Sequence, residues 1–362
     1  MLAQPKAGNL PVIDFSKNYP EQKIRLQDIA ETKYIPLETS DDILLSEHAK
    51  LTSVSDKYIV VYEPLRGDIF IFDSKGNIYS HFNHKGSSGQ EYAWIRGLIF
   101  DEKNEEIFVT NTSIQVYSIK GEHKRTLKVN TLLKEMSVYN FDDQSLLVYE
   151  DINVDPIYKG KINERPYSLI SKKDGSLITV FDIHLPKRYS TTIAKIEGKN
   201  WRTIQIYCQS NIHYGRDFMI ADISSDTLYL LSQNKKIAPV LIAKPSVHES
   251  EPRNVLSVSL TTDKFIILGK VLLDFTKKSG KSPIYMYEFA TGKISSISFT
   301  DAETMRGKWQ IHGSPIIEKN KFAELIQPSL IKKADEKRDP VKALRALSED
   351  DNPVVRILSF KQ

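Results

Sequence analysis

An all-β chain folded as a six-bladed β-propeller with four-stranded blades is what this sequence predicts, and three observations predict it. Short hairpin units recur along the whole length, each with apolar and aromatic residues flanking an Asp, Asn, Lys or Gly turn, residues that tolerate the backbone angles of a tight turn. The second hairpin of each unit starts near Ile69, Ile114, Tyr167, Leu228 and Ile284, a spacing of roughly 45 to 60 residues, which suits one four-stranded blade. Seventeen Tyr and fifteen Phe favour sheet, because flat, bulky side chains pack well on pleated surfaces. A twisted four-stranded sheet cannot bury both faces alone, and radial packing covers each face with the neighbouring blade. A β-sandwich also supplies many short strands, but it does not impose one period on the whole chain.

Residues 1–23 mix Pro, Gly, Asn and Lys without periodicity and read as an extended N-terminal arm, which leaves residues 24–362 as one propeller domain. A first strand is expected at Lys33–Leu37. The stretch Asp68–Tyr92, DIFIFDSKGNIYSHFNHKGSSGQEY, then sets the repeating unit: strand, turn, strand and a glycine-containing link. Asp73, Gly76, Gly86 and Gly89 take its turn and crossing positions, and Glu91 with Tyr92 are expected to fasten the first blade to the second. Inner hairpins are read in LTSVSDKYIVVYE, LIFDEKNEEIFVTN, SVYNFDDQSLLVYE, SVSLTTDKFIILG and SPIIEKNKFAELIQ. The inner hairpin of the fourth unit is the least regular and lies between TIQIYC and DFMIADI. A short helix is expected over about residues 340–350, with Asp339 as its cap, Pro340 in its first turn and Val341, Leu344 and Leu347 on one face. The chain then ends on the strand VVRILSF. Strands at both ends predict closure of one blade by the two termini, which removes open edges.

Bulk properties exclude several functions. Net charge is +4 and the 50 basic residues are dispersed among 46 acidic ones, too even a balance for a nucleic-acid footprint. Cys208 is the single cysteine, so an intramolecular disulfide and a multi-cysteine metal site are both excluded. Within the run TIQIYC it reads as a small buried hydrophobe. No apolar stretch approaches the ~20 residues of a membrane helix, and the opening MLAQPKAGNLP reads as an unstructured leader.

From Gly86 to Gly121 the sequence resembles the NHL repeat, with Gly86, Gly89, Asp101, Val116, Tyr117 and Gly121 in the places of its pattern. The whole chain is more similar to a family of six-bladed propellers from Bacteroidetes, many of them predicted lipoproteins of unknown function. YIPLET at Tyr34–Thr39, DTLYLLSQNKKIAPV at Asp226–Val240 and EDDNPVVRILSFK at Glu349–Lys361 carry that likeness in order. After the first blade this chain keeps Gly86, Glu91 and Tyr92 of the family's G-x-G-P-G-E-Y, but has Ser88, Gly89 and Gln90 between them. The resemblance implies the fold and an exported existence, periplasmic or at the cell surface, with a lipid anchor ahead of residue 1. It implies no activity.

Chemistry is sparse. Propeller enzymes of lyase or lactonase type gather His, Asp, Glu or Asn from several blades around calcium or zinc in a central channel. Here His48, His81, His84, His123, His184, His213, His248 and His312 are scattered, about one to a unit. His81 and His84, three apart on a strand-to-link stretch, point to opposite faces. GxSxG, HExxH, phosphate-loop and calcium-loop motifs are absent from the sequence, and the carboxylate pairs Asp41–Asp42 and Asp142–Asp143 sit in polar turns. Arg96, Arg188, Tyr189, Arg216 and Trp309 fall at links or just before strands, where Arg and aromatic side chains form recognition surfaces, and they are the candidate ligand-binding residues. The expected function is a non-catalytic binding or scaffold module of the bacterial envelope. Its partner is a protein, peptide or glycan; no cofactor, metal, nucleic acid or transmembrane segment is expected, and the chain is expected to be a monomer. A metal-dependent lyase or lactonase is the alternative, and only that reading calls for calcium or zinc.

Overall fold

A computed structural model describes residues 10–129, 136–152, 162–197, 200–208, 210–276, 282–305, 307–309, 311, 318–331, 344 and 347–361. The fold is an all-β, six-bladed propeller in which one blade is closed by the strands at the two ends of the chain. Its residues form two compact units, each containing three blades.

The unit comprising Lys23–Val129, Lys172–Ser176 and Phe299–Gln362 holds blades 6, 1 and 2. Blade 1 consists of Lys50–Val54, Tyr58–Tyr62, Asp68–Asp73 and Ile78–Asn83, all antiparallel neighbours. Blade 2 consists of Gly97–Asp101, Glu106–Thr110, Ile114–Ser118 and His123–Leu127. Among the described residues blade 6 has three strands: Lys321–Ile326, then Val354–Phe360, then Ala30–Pro36. The C-terminal strand thus lies between two others, with Arg356 opposite Glu324 on one side and Tyr34 on the other. The middle strand YIVVY of blade 1 is β-branched and aromatic on both faces because blades 6 and 2 cover both. Ile69, Ile71 and Phe82 of blade 1 meet Leu98, Phe100, Ile107 and Tyr117 of blade 2 in one buried cluster.

Tyr92 closes that seam. Its hydroxyl donates to the Gly67 carbonyl at 2.8 Å and accepts the His84 N–H at 3.0 Å, so the link between the blades is tied to the turn before the Asp68 strand. The outer-hairpin turns make a second kind of joint. At Gly76, φ is +92°, and a Cβ there would stand 1.9 Å from the Pro36 carbonyl oxygen of blade 6. A Cβ on Gly121 would stand 2.7 Å from the Phe82 ring, and one on Gly175 2.8 Å from the Lys128 carbonyl oxygen. Lys172, in the turn that contains Gly175, is buried and bonds Asp101 at 2.6 Å.

The other unit, Met1–Gln22, Asn130–Ser171 and Leu177–Ser298, holds blades 3, 4 and 5. Blade 3 runs Met136–Asn140, Ser145–Glu150, Tyr167–Ser171 and Leu177–Val180. Blade 4 runs Asn211–Tyr214, Asp217–Ile220, Thr227–Leu231 and Ile237–Lys244; blade 5 runs Arg253–Thr261, Phe265–Leu273, Ile284–Glu288 and Ile294–Thr300, its last two residues in the first unit. Between blades 3 and 4 the irregular stretch forms an extra hairpin, Thr192–Glu197 with Asn200–Gln205. Phe141, Leu147, Tyr167 and Leu169 pack on Phe218, Ile220 and Leu231 at the seam of blades 3 and 4. Tyr214, Met219 and Leu228 pack on Leu256, Ile266 and Tyr285 at the next.

Of the stretch expected as an extended arm, residues 10–23 are described, and they are partly paired. Val12–Asp14 runs parallel to the outer strand of blade 4, with Val12 opposite Ile242, and Glu21–Arg25 flanks the outer strand of blade 5. The anchor is hydrophobic: Ile13 and Phe15 are buried among residues of blades 4 and 5. Of the helix expected over about residues 340–350, Asp339, Pro340 and Val341 lie outside the described residues, and the described residues 347–350 are irregular or turn. The helices among the described residues are Leu26–Ile29 and the 3-10 turn Pro328–Leu330, and no helix there is long and apolar enough to cross a membrane.

Candidate functional site

The five candidate residues separate by unit and by role. In the unit of blades 6, 1 and 2, Arg96 follows the Tyr92 joint; its N–H donates to the Thr110 carbonyl at 3.0 Å and its guanidinium lies 5.4 Å from the centre of the Trp94 ring. Trp309 is a core residue, 4% exposed. Its ring meets Phe299 at 4.9 Å and Phe322 at 5.3 Å, and its Nε1–H donates to Glu324 Oε1 at 3.2 Å. The sequence places an aromatic at a link; only packing turns it inward.

In the unit of blades 3 to 5, Arg216 stands exposed in the tight turn between the first two strands of blade 4. Its carbonyl accepts a bond from the Gln233 side chain, which also donates to the Phe141 carbonyl at 2.9 Å. Arg188 and Tyr189 are adjacent in sequence and diverge. Arg188 turns inward: Nη2 donates to the Glu150 carbonyl at 2.6 Å and the Tyr149 hydroxyl at 3.1 Å, and Nη1 donates to the Asn163 carbonyl at 3.3 Å. It clips the link after blade 3 to that blade.

Tyr189 is half-buried and gathers partners that sequence reasoning missed. The Arg253 guanidinium lies 4.3 Å from its ring centre and the Lys187 ammonium 5.5 Å from it, while its hydroxyl meets His248 Nδ1 at 3.0 Å. Its N–H donates to Ser224 Oγ at 2.8 Å, which fixes the backbone below the ring. Arg253 is held in turn by Glu251, at 2.8 and 2.5 Å. The result is a flat aromatic face with two cations over it and a histidine at its rim, an arrangement that offers stacking and charged hydrogen bonding together. His248 and Arg253 come from HESEPR, a polar stretch without periodicity. Nothing in that stretch alone points to a tyrosine some sixty residues earlier. A separate shallow cleft of about 450 Å³ lies where the arm passes blades 4 and 5, lined by Val12, Asp14, Lys17, Tyr19, Lys244 and Ile294.

Other groups that could do chemistry lie elsewhere, and several are held by internal bonds. His81 bonds Asp68 at 3.0 Å and His84 the Gly121 carbonyl at 2.6 Å, so the two do not converge. His123 bonds Gln115, and His184 bonds Glu164. His213 lies against Phe218, and burial pushes its pKa down to about 4. Burial, with the Asp222 carboxylate as a smaller cause, pushes the Cys208 thiol up to about 12, which keeps it an unreactive thiol packed beside Ile206 and Val247. Tyr167 donates to Asp222 at 3.1 Å and Asn211 at 3.2 Å, and burial first, then Asp222, holds its hydroxyl well above the ordinary range. Among the described residues, no three His, Cys, Asp or Glu side chains come together as a metal-binding group.

Comparison with known proteins agrees with this picture of a shared fold without an assigned reaction. Among curated proteins none matches the chain. The crystal structure of a candidate exported protein from Bacteroides fragilis superposes with a TM-score of 0.64 at 13% identity, covering 97% of this chain and 100% of that one. A member of the DUF4221 family from Bacteroides vulgatus follows, with a TM-score of 0.48 and 11% identity, over 92% and 97% of the two chains. A streptogramin B lyase aligns more loosely, with a TM-score of 0.36 and 11% identity over 76% and 93%, which says nothing about activity. The DUF4934 family, described as a domain of unknown function, matches residues 10–359, nearly the whole length, and the chain therefore belongs to that family.

Proposed function

We propose that this protein is a non-catalytic binding module of the bacterial envelope that takes up a protein, peptide or glycan partner through the surface around Tyr189. The observation that carries the reading is the Tyr189 cluster itself, where Arg253, Lys187 and His248 converge on a half-buried aromatic ring. Interfaces concentrate binding energy in such Tyr and Arg side chains, because each offers a large, stiff contact area with a polar end. By contrast, His81 and His84 are spent on internal bonds, and burial shifts His213 and Cys208 away from neutral pH. The envelope location rests on the resemblance to exported Bacteroidetes propellers and on the exported character ascribed to the Bacteroides fragilis neighbour.

The test uses arrays of envelope glycans and envelope-protein peptides, probed with the intact protein and with Tyr189→Ala and Arg253→Ala. The expected result is a discrete set of bound probes, weakened about tenfold or more by either substitution, with the thermal midpoint little changed. Metal analysis of the purified protein is the opposing arm. Stoichiometric calcium or zinc, lost when one histidine is replaced, would overturn the binding-module reading in favour of a metal-dependent enzyme.

A further inference from the structure

The outermost strand of a blade presents a row of N–H and C=O groups with no partner in its own sheet, and such an edge pairs with other strands unless it is covered or charged. Among the described residues four of the six outer strands are treated in one of these ways. Val12–Asp14 covers blade 4 and Glu21–Arg25 covers blade 5. The outer strand of blade 2 carries Lys124 and Arg125, and that of blade 6 carries Glu31 and Lys33. The outer strand of blade 1, Ile78–Asn83, is likewise last in its sheet and has no Lys, Arg, Asp or Glu, but its His81 bonds Asp68 and its Ser80 hydroxyl donates to the Ile119 carbonyl of blade 2 at 2.6 Å.

Blade 3 differs from all of these in the aliphatic residues its edge exposes. Its outer strand, Leu177–Val180, reads Leu-Ile-Thr-Val, has no charge, and is the last in its sheet. Leu177 is 63% exposed, Ile178 45% and Val180 45%. Aliphatic side chains therefore stand in solvent on both faces of a strand whose outer backbone edge has no partner strand among the described residues.

We propose that Leu177–Val180 is a self-association edge, pairing antiparallel with the same strand of a second copy about a two-fold axis. A two-fold interface must be self-complementary, and an uncharged aliphatic strand meets its own copy without setting like charges opposite each other. The outer strand of blade 2 could not do so, since Lys124 and Arg125 would face a second Lys124 and Arg125. The chain already shows that its outer edges accept an added strand, because its own arm adds one to blade 4 and one to blade 5. With only four residues a side the contact is small, so the dimer is weak and concentration-dependent, and it departs from the monomer expected from sequence.

Sedimentation of the full chain from micromolar to millimolar concentration tests this. A reversible dimer is expected, with the dissociation constant raised at least about tenfold in Ile178→Lys/Val180→Lys, because a charged edge opposes pairing. Leu65→Lys, at a leucine of blade 1 that is 69% exposed, leaves the dimer unchanged. A chain that stays monomeric throughout, or a dimer that survives the double substitution, overturns the proposal. Hydrogen exchange on the unmodified protein decides the matter independently of any variant. The amides of Ile178–Val180 gain protection as concentration rises, and no gain overturns the proposal.

Discussion

At the scale of the residue, His213 shows how position changes a side chain's meaning. In sequence it is one of eight scattered histidines, each open to a metal-binding role. In the fold its ring lies 4.3 Å from that of Phe218, its Nδ1 is buried without a hydrogen-bond partner, and burial pushes its pKa from 6.5 down to about 4. The neutral ring is therefore the form that the fold accepts. Since the folded value lies below the unfolded one, its contribution to stability is complete above pH 6.5 and is lost as pH falls towards 4. A gap of that size is worth up to roughly 3 kcal/mol. Urea midpoints are expected to drop between pH 7 and pH 4.5, and to drop less in His213→Gln, which has no proton to take up. Equal drops in the two proteins would show that other groups carry the acid sensitivity. Tyr92 was legible beforehand as a fastener, because an aromatic after a glycine-rich link has a seam to fill. Trp309 was not legible as a core residue, because a link position does not say which way a ring turns.

At the scale of the element, hairpins were readable because their turn chemistry is local. The second hairpins begin within a residue of the positions expected from Ile69, Ile114, Tyr167, Leu228 and Ile284. What a turn touches is not local. Gly76 and Gly292 both have positive φ, +92° and +68°, and look alike in sequence. A Cβ on Gly76 would collide with the Pro36 carbonyl, whereas one on Gly292 would meet nothing within 4 Å. Gly292→Ala is therefore expected to cost about 1–2 kcal/mol, the ordinary left-handed penalty. Gly76→Ala must in addition displace backbone, including the Glu38 N–H that donates to the Gly76 carbonyl at 2.8 Å, and is expected to cost clearly more. Denaturant unfolding of the two variants side by side measures the difference, and equal losses would mean that the blade 6 to blade 1 joint is slack.

At the scale of the whole molecule, closure depends on one strand that joins the ends of the chain. Val354–Phe360 is held by its pairing and by Arg356, 2% exposed, which bonds Asp301 at 2.5 Å and Glu324 at 2.8 Å. Burial alone would raise the Asp301 pKa, but its bonds to Arg356 outweigh that and hold it below the ordinary carboxylate range. Arg356→Ala leaves two largely buried carboxylates without their cation and is expected to cost about 3–5 kcal/mol near neutral pH. Arg356→Met with Asp301→Asn and Glu324→Gln removes the charges together and is expected to lose less. Chemical denaturation at pH 7 distinguishes the two, and a triple variant as unstable as Arg356→Ala would locate the loss in packing instead of charge.

By itself the sequence determined the propeller fold, the order and spacing of its blades, and the strand that closes it at the C-terminus. These follow from short-range rules of turn chemistry, strand propensity and period. Tertiary structure alone decided how those elements meet: that Arg188 clips to the Glu150 carbonyl while Tyr189 packs beside Val247, that Arg253 and His248 come to Tyr189, and that among the described residues the arm pairs with blades 4 and 5 and no strand pairs with the blade 3 edge. The physical reason is that each of these depends on residues tens to hundreds of positions apart. Their meeting is fixed by how the blades pack, and no local pattern in the chain encodes it.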